Sequence, residues 1–418
     1  MSPFASLPDQ QRWSQGHFHG IRLQAAPGNW KPLLEGGLAT HARAIVDDIV
    51  AVLEQRAPSA EHGFQGDAST ALLLAHCGRP SASARLEAAL SAFARRPTTI
   101  SLFAGAAGIS WALDRLATGR EADSLIAHFD AAVLRYLDVP RWQERYDLIA
   151  GLVGVGVSAA RHRGGHAELI ADRVLSHLEA TAIADDAGLT WCTPGSDPTA
   201  GRPTRFTAGA VDLGVAHGVP GIIGMLAQFV EADVQRERSR RLLWSAVSWL
   251  MYTVPDGRPR FGTNWPAGRA ERKRIGWCYG DPGVAGVLLR ASRALGSLGL
   301  EQQALGLLER ATAPLATASV RDACLCHGAA GLAHIYNVAF QRTGSPRMRI
   351  EALRWLLELF RLRKPGSGIA GYRFLKLEGG GTRWANDATL VSGAAGVALV
   401  LLAAIEGREP EWQALLLL

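Results

Sequence analysis

Two kinds of apolar spacing alternate along this chain. In the first, apolar and polar positions part onto opposite faces at a helical period. Within 346–363, Arg347, Glu351, Arg354, Glu358 and Arg361 fall at steps of four and three and form a polar stripe. Ile350, Leu353, Leu357 and Phe360 form the apolar stripe opposite. Similar amphipathic stretches cover about 37–55, 82–95, 121–137, 166–182, 233–251 and 298–316. In the second kind a run is apolar nearly all round, as in Ala394–Ile405, and a helix of that type is buried.

The apolar runs follow a short repeated motif, Gly-x-x-Gly. It occurs as Gly63-Gly66, Gly105-Gly108, Gly151-Gly154, Gly218-Gly221, Gly280-Gly283, Gly328-Gly331 and Gly393-Gly396. Glycine permits positive φ in a tight opening turn and lets backbones pack closely at a crowded helix start. Self-similarity at this spacing organises a whole fold. The pattern predicts an all-α chain in which seven buried inner helices and seven amphipathic outer ones make a double ring. Every glycine loop then opens an inner helix at the same end, and the loops meet around one cavity. Strand signals are sparse, and no boundary divides 1–418 into separate domains. Two Pro-, Gly- and Arg-rich stretches, about 185–212 and 252–276, exceed the repeat and read as long loops over the cavity mouth.

Composition narrows the partners. The chain has 418 residues, 48% hydrophobic and 20% charged, with a net charge of +6, a soluble globular balance with room for a large core. That mild charge suits an acidic peptide, and dense Lys/Arg clusters with interleaved aromatics are missing, which argues against nucleic acid. The five cysteines, Cys77, Cys192, Cys278, Cys324 and Cys326, are too few and odd in number for a disulfide scaffold. The opening residues lack a basic segment followed by an apolar core. The longest apolar stretch, 390–405, falls short of the roughly 20 residues a membrane span needs. The expectation is a soluble, cytoplasmic protein.

Chemically capable residues gather just before the glycine motifs. Cys278 stands two residues before Gly280, Cys326 two before Gly328, and His327 and His217 one before Gly328 and Gly218. His62 stands one before Gly63, and Asp147 four before Gly151. Zinc takes Cys and His in tetrahedral geometry, and a catalytic site keeps its fourth position open. Cys278, Cys326 and His327 supply three such ligands. Two thiolates and an imidazole balance the dication, so a substrate thiolate as fourth ligand stays electron-rich while its pKa falls. A lone cysteine reads better as a small buried hydrophobe; two cysteines and a histidine at matched repeat positions favour the metal. Cys324 competes as a ligand but is out of register, and Cys77 and Cys192 read as structural.

His217 and Asp147 are candidates for acid–base work, against a hydrogen-bonded core histidine and a helix cap as the plainer readings. Arg274, in the basic run RAERKR, suits a substrate carbonyl or carboxylate as well as it suits a solvated surface position.

The motifs AHGVPG, WCYGDPG and CHGAAG, in that order, resemble the lanthionine synthetase C-like family, the cyclases of lanthipeptide biosynthesis. The resemblance runs from Gly63 to Ile405. It implies an α/α toroid with zinc held by Cys278, Cys326 and His327, and acid–base roles for His217 and Asp147. It also places Arg274 and Tyr279 among the active-site residues. The implied reaction is Michael-type addition of a peptide cysteine to dehydroalanine or dehydrobutyrine, giving a lanthionine or methyllanthionine thioether. The implied partners are a dehydrated precursor peptide and a complex with a dehydratase and an exporter, the latter a route to peripheral membrane association. A second reading is a zinc module that binds glutathione or a protein cysteine without cyclising anything. A third, a hydrolase with paired carboxylates, finds only Asp147 and Asp281 to work with.

Overall fold

The computed structural model describes residues 30–96, 99–160, 165–192, 211–253, 261–265, 275–312, 320–378 and 381–418. Among the described residues there are fourteen α-helices, and they alternate as the glycine motifs predict. The inner set is α2 (Asp67–His76), α4 (Ala106–Leu116), α6 (Leu152–Ala159), α8 (Val219–Glu231), α10 (Asp281–Leu295), α12 (Ala329–Thr343) and α14 (Ala394–Ile405). The outer set is α1 (Gly36–Gln55), α3 (Ala82–Arg95), α5 (Arg120–Leu137), α7 (Ala167–Thr181), α9 (Arg236–Tyr252), α11 (Leu298–Ala311) and α13 (Pro346–Leu362).

Each inner helix packs on the next inner helix, and α14 packs on α2, so the inner ring closes into an α/α toroid. From α2 to α12, each inner helix also packs against the outer helix that follows it. The outer helix α1 lies against α14, so the first and last repeats are stitched together. Leu33 and Leu34 add to this seam by donating their backbone N–H groups to the Ala404 carbonyl. Inner helices such as α14 and α6 are buried all round, as an apolar circumference requires. No described helix is long and apolar enough to cross a membrane.

The glycines act mainly by making room. In six repeats the second glycine lies against the carbonyl six residues earlier. A Cβ at Gly108, Gly154, Gly221, Gly283, Gly331 or Gly396 would overlap the oxygen of Leu102, Leu148, Val215, Trp277, Leu325 or Leu390 respectively. The first glycines are helix N-caps in extended backbone, except Gly280, whose φ of 97 does require glycine. The first repeat is shifted: Gly66, its second glycine, caps α2, and Gly63 belongs to a short 3-10 turn. His62 is therefore not the counterpart of His217. Its ring instead stands edge-on to Phe93.

Two expectations need correcting. In α13 the inward face is Met348, Ala352, Trp355, Leu356 and Leu359, whereas Ile350 and Leu357 are exposed. That helix carries apolar residues on more than half its circumference, and the face with its Trp and Met turns inward. The start of the 185–212 stretch is not a loose loop but a hairpin, β1 (Ile183–Asp185) with β2 (Gly188–Thr190), packed on α9. The later part of that stretch and most of 252–276 lie outside the described residues. Their described ends pair as β3 (Val211–Asp212) and β4 (Asn264–Trp265). A second hairpin, β5 (Phe374–Glu378) with β6 (Gly381–Ala385), joins α13 to the last glycine loop.

The far half of the ring is filled by the segment after α14. Leu415–Leu418 are fully buried, Trp412 lies over His334 at 4.5 Å between ring centroids, and the Gln228 amide donates to the Ala414 carbonyl. The Trp277 indole N–H, one residue before Cys278, donates to the Leu416 carbonyl.

Candidate metal and acid–base site

Backbone hydrogen bonds lace the glycine loops side by side. Leu148 N–H donates to the Ala216 carbonyl, both Trp277 and Cys278 N–H donate to Cys326, and Cys326 N–H donates to Val391. Side chains at equivalent loop positions are thereby held at one end of the ring. The ligand atoms of Cys278, Cys326 and His327 lie within 4.8 Å of one another. Ligands on a zinc tetrahedron stand roughly 3.3–3.8 Å apart, from bond lengths of about 2.0–2.3 Å, so small side-chain adjustments bring this set onto a metal.

The chemistry of the donors fits a dication as well. The hydrogen bond with Cys278, together with burial, pushes the Cys326 thiol well above its ordinary range. Two thiols in this setting resist ionising side by side, and a bound dication removes that penalty. A second set, Asp322, Cys324 and His327, is equally close and shares His327. Cys324 is fully buried, its thiol pushed well above the ordinary range chiefly by burial, and its Sγ accepts the His327 backbone N–H at 3.4 Å. It stands four residues before its glycine, where Cys278 and Cys326 stand two before theirs.

Beside this cluster is a second one. The His217 ring Nδ1 and Asp147 Oδ2 are 2.8 Å apart, which places the shared proton on Nδ1 and turns Nε2 away. Asp147 is buried, and its Oδ1 accepts the Ala150 N–H at 2.6 Å. Burial alone would raise the Asp147 carboxyl. The His217 hydrogen bond and charge, the Ala150 amide and nearby Arg145 outweigh it and hold the group below the usual carboxylate range. For His217, burial favours the neutral ring, but the bond to Asp147 and the charges of Asp147 and Asp212 hold it above its ordinary value.

Tyr279 joins the two clusters. It follows Cys278 in the chain, its ring centroid is 6.3 Å from that of His217, and its hydroxyl donates to Asp212 Oδ2 at 2.8 Å. Burial, opposed by the Gly214 amide and the Tyr279 hydroxyl, pushes the Asp212 carboxyl up to about 6. Arg274 lies outside the described residues.

Asp212 has no place in the residue-type argument above, although a signal for it was present. Asp212, Asp322 and Asp387 each stand six residues before the first glycine of their motif. In each, Oδ1 accepts the amide two residues on, at Gly214 (2.7 Å), Cys324 (3.3 Å) and Thr389 (2.7 Å). The second oxygen reaches outward: to Tyr279 from Asp212, to the Leu375 N–H from Asp322, and to Lys376 from Asp387. Asp322 Oδ2 also lies 3.7 Å from His327 Nε2, a carboxylate placed to orient that imidazole.

The family model described as "Lanthionine synthetase C-like protein" matches residues 80–417. Among solved structures, a nisin cyclase is similar with a TM-score of 0.64 and 15% sequence identity, over 92% of this chain and 98% of that one. Comparison with curated protein sequences finds no significant match.

Proposed function

Because this chain belongs to the lanthionine synthetase C-like family, we propose that it is a zinc-dependent lanthipeptide cyclase. In this reading it adds a cysteine thiol of a dehydrated precursor peptide across the double bond of dehydroalanine or dehydrobutyrine. The observation that carries this is the convergence of two thiols and an imidazole beside a histidine–carboxylate pair whose carboxylate is buried, at one end of the ring. Cys278, Cys326 and His327 would hold the zinc, which when bound lowers the pKa of a substrate thiol and presents its sulfur as a nucleophile.

The remaining work belongs to side chains. The substrate sulfur bonds to the β-carbon, the C=C electron pair moves to the α-carbon, and a proton must arrive there. His217 supplies it from Nε2, because Asp147 fixes Nδ1 and favours the imidazolium. The thiol proton lost at the start restores the imidazolium, so the net reaction adds S–H across C=C. The substrate already contains dehydro residues, so a dehydration of Ser or Thr must precede this step.

The test is zinc per chain, together with conversion of a dehydrated precursor followed by loss of alkylatable thiol. About one zinc, lost in Cys278→Ala, Cys326→Ala and His327→Ala along with ring formation, supports the reading. Zinc and thiol binding without any ring formation would replace it with a thiol-binding module.

A further inference from the structure

We propose that Asp212 is a positioning residue for the addition step, holding Tyr279 and His217 in register with each other. The inference rests on the cyclase reading for its kinetic consequence and on geometry alone for the rest. Asp212 is 1% exposed and sits on β3, where the two long insertions pair beside the loop that carries His217. Leu213 N–H, donated to the Thr263 carbonyl, pins that strand. With Oδ1 committed to Gly214 and Oδ2 to the Tyr279 hydroxyl, the carboxylate has one orientation.

The polarity of the second bond matters. An ionised carboxylate only accepts, so Tyr279 must donate to it, and what the hydroxyl offers any further partner is acceptance. Tyr279 therefore does not act as the proton donor. It accepts from a substrate N–H, or from the imidazolium beside it. His217 in turn lies between two carboxylates, Asp147 in direct contact and Asp212 at longer range. Arg145, itself 3.5 Å from Asp147, opposes them, and the Tyr279 ring covers one side.

Asp387 provides the internal control. It occupies the same loop position, makes the same turn bond, and turns its second oxygen to Lys376 instead of to a tyrosine. If Asp212 served only its turn, Asp212→Asn and Asp387→Asn would behave alike, since Asn keeps the turn-forming oxygen. In Asp212→Asn the amide nitrogen faces Tyr279, and the hydroxyl must reverse and accept.

The experiment measures both variants, Tyr279→Phe and the double variant Asp212→Asn/Tyr279→Phe. Each is read for zinc content, thermal midpoint, kcat and KM on a dehydrated precursor. Expected for Asp212→Asn is full zinc, a midpoint matching Asp387→Asn, and kcat lower by roughly 10- to 100-fold with little change in KM, the size of a misplaced catalytic neighbour. Tyr279→Phe should match it, the double variant should be no worse than either, and Asp387→Asn should keep parental kcat. Parental kcat in Asp212→Asn, or single defects that multiply in the double, overturns the proposal. A parent inactive on dehydrated peptide overturns the cyclase reading instead. The proposal is then decided by the His217 titration followed through its ring nitrogens by NMR. The midpoint should fall in Asp212→Asn and hold in Asp387→Asn, and an unmoved midpoint in both refutes it.

Discussion

Asp147→Asn is the perturbation that the acid–base geometry predicts in most detail. The Ala150 N–H requires an oxygen at the Oδ1 position, so the new amide sets its nitrogen toward His217. Two N–H groups cannot share that 2.8 Å contact, and the histidine Nδ1 must become the acceptor. The imidazolium loses its partner and the neutral Nε2–H tautomer takes over. A hydrogen bond to a charged group contributes about 1.5–3 kcal/mol, and at about 1.4 kcal/mol per decade the expected loss in kcat is roughly 10- to 150-fold. Direction in pH follows from the His217 pKa, held above its ordinary value by Asp147. The parent keeps its acid form to higher pH, so the ratio of parent to variant rates should be largest at neutral and alkaline pH and narrow toward acid. Thiol disappearance on a dehydrated precursor between about pH 5.5 and 9, around the reference histidine value of about 6.5, measures this, with zinc content as the control. A variant with full zinc, a proportional loss at every pH and no shift of the alkaline limb would refute the assignment of His217 as the acid.

Four further outcomes follow from the same structure. Cys324→Ala should retain zinc while Cys278→Ala loses it; the reverse would move the site to the Asp322–Cys324–His327 set. Gly331→Ala forces a Cβ onto the Leu325 carbonyl beside Cys326, and should lower both the thermal midpoint and zinc retention; a parental midpoint refutes the packing argument. Trp412→Ala opens a cavity against His334 and should cost about 3–5 kcal/mol in urea unfolding, whereas Trp244→Ala, at 58% exposure, should cost little. The Asp147–His217 pair should stabilise the fold within a pH window. Asp147, lowered in the fold, contributes above the carboxylate range and loses its effect as pH falls through its folded value. His217, raised in the fold, contributes fully below about 6.5 and loses its effect as pH rises through its folded value. The stability gap between parent and Asp147→Asn should therefore peak between those limits, and a flat gap from acid to alkali would contradict the ion pair.

The glycine spacing made the architecture legible, because the constraint behind it is local and steric. A carbonyl six residues back leaves no room for a Cβ, and that demand recurs wherever an inner helix begins. It also placed Cys278, Cys326, His327 and His217 at loop positions the fold treats as equivalent, and the fold brings His217 to within 2.8 Å of Asp147. What stayed hidden depended on contacts between repeats. The first motif reads like the others although its helix is capped one glycine later, which misplaced His62. The inward face of α13 is set by how Trp355 and Met348 meet the neighbouring inner helix, and a helix with apolar residues over half its surface does not announce that choice. Asp212 looks in sequence like any acidic loop residue; only the arrival of Tyr279 from the next repeat separates it from Asp387.

The order of the repeats around the ring then explains how one site arises from loops so far apart in sequence. Neighbours in sequence are neighbours in the ring, since each inner helix packs on the next. Asp147 opens the third repeat, Asp212 and His217 the fourth, Cys278 and Tyr279 the fifth, Cys326 and His327 the sixth. Each junction carries a bond between the loops: Asp147 to His217, Asp212 to Tyr279, and the Cys278 amide to the Cys326 carbonyl. In the proposed reading, the proton-transfer residues and the metal-binding residues thus occupy consecutive sectors of the rim, and Tyr279 with Asp212 is the joint between them. A site of this kind draws these bonds from the segments that lead into the inner helices. It is sensitive to any substitution that lets one inner helix slide against the next.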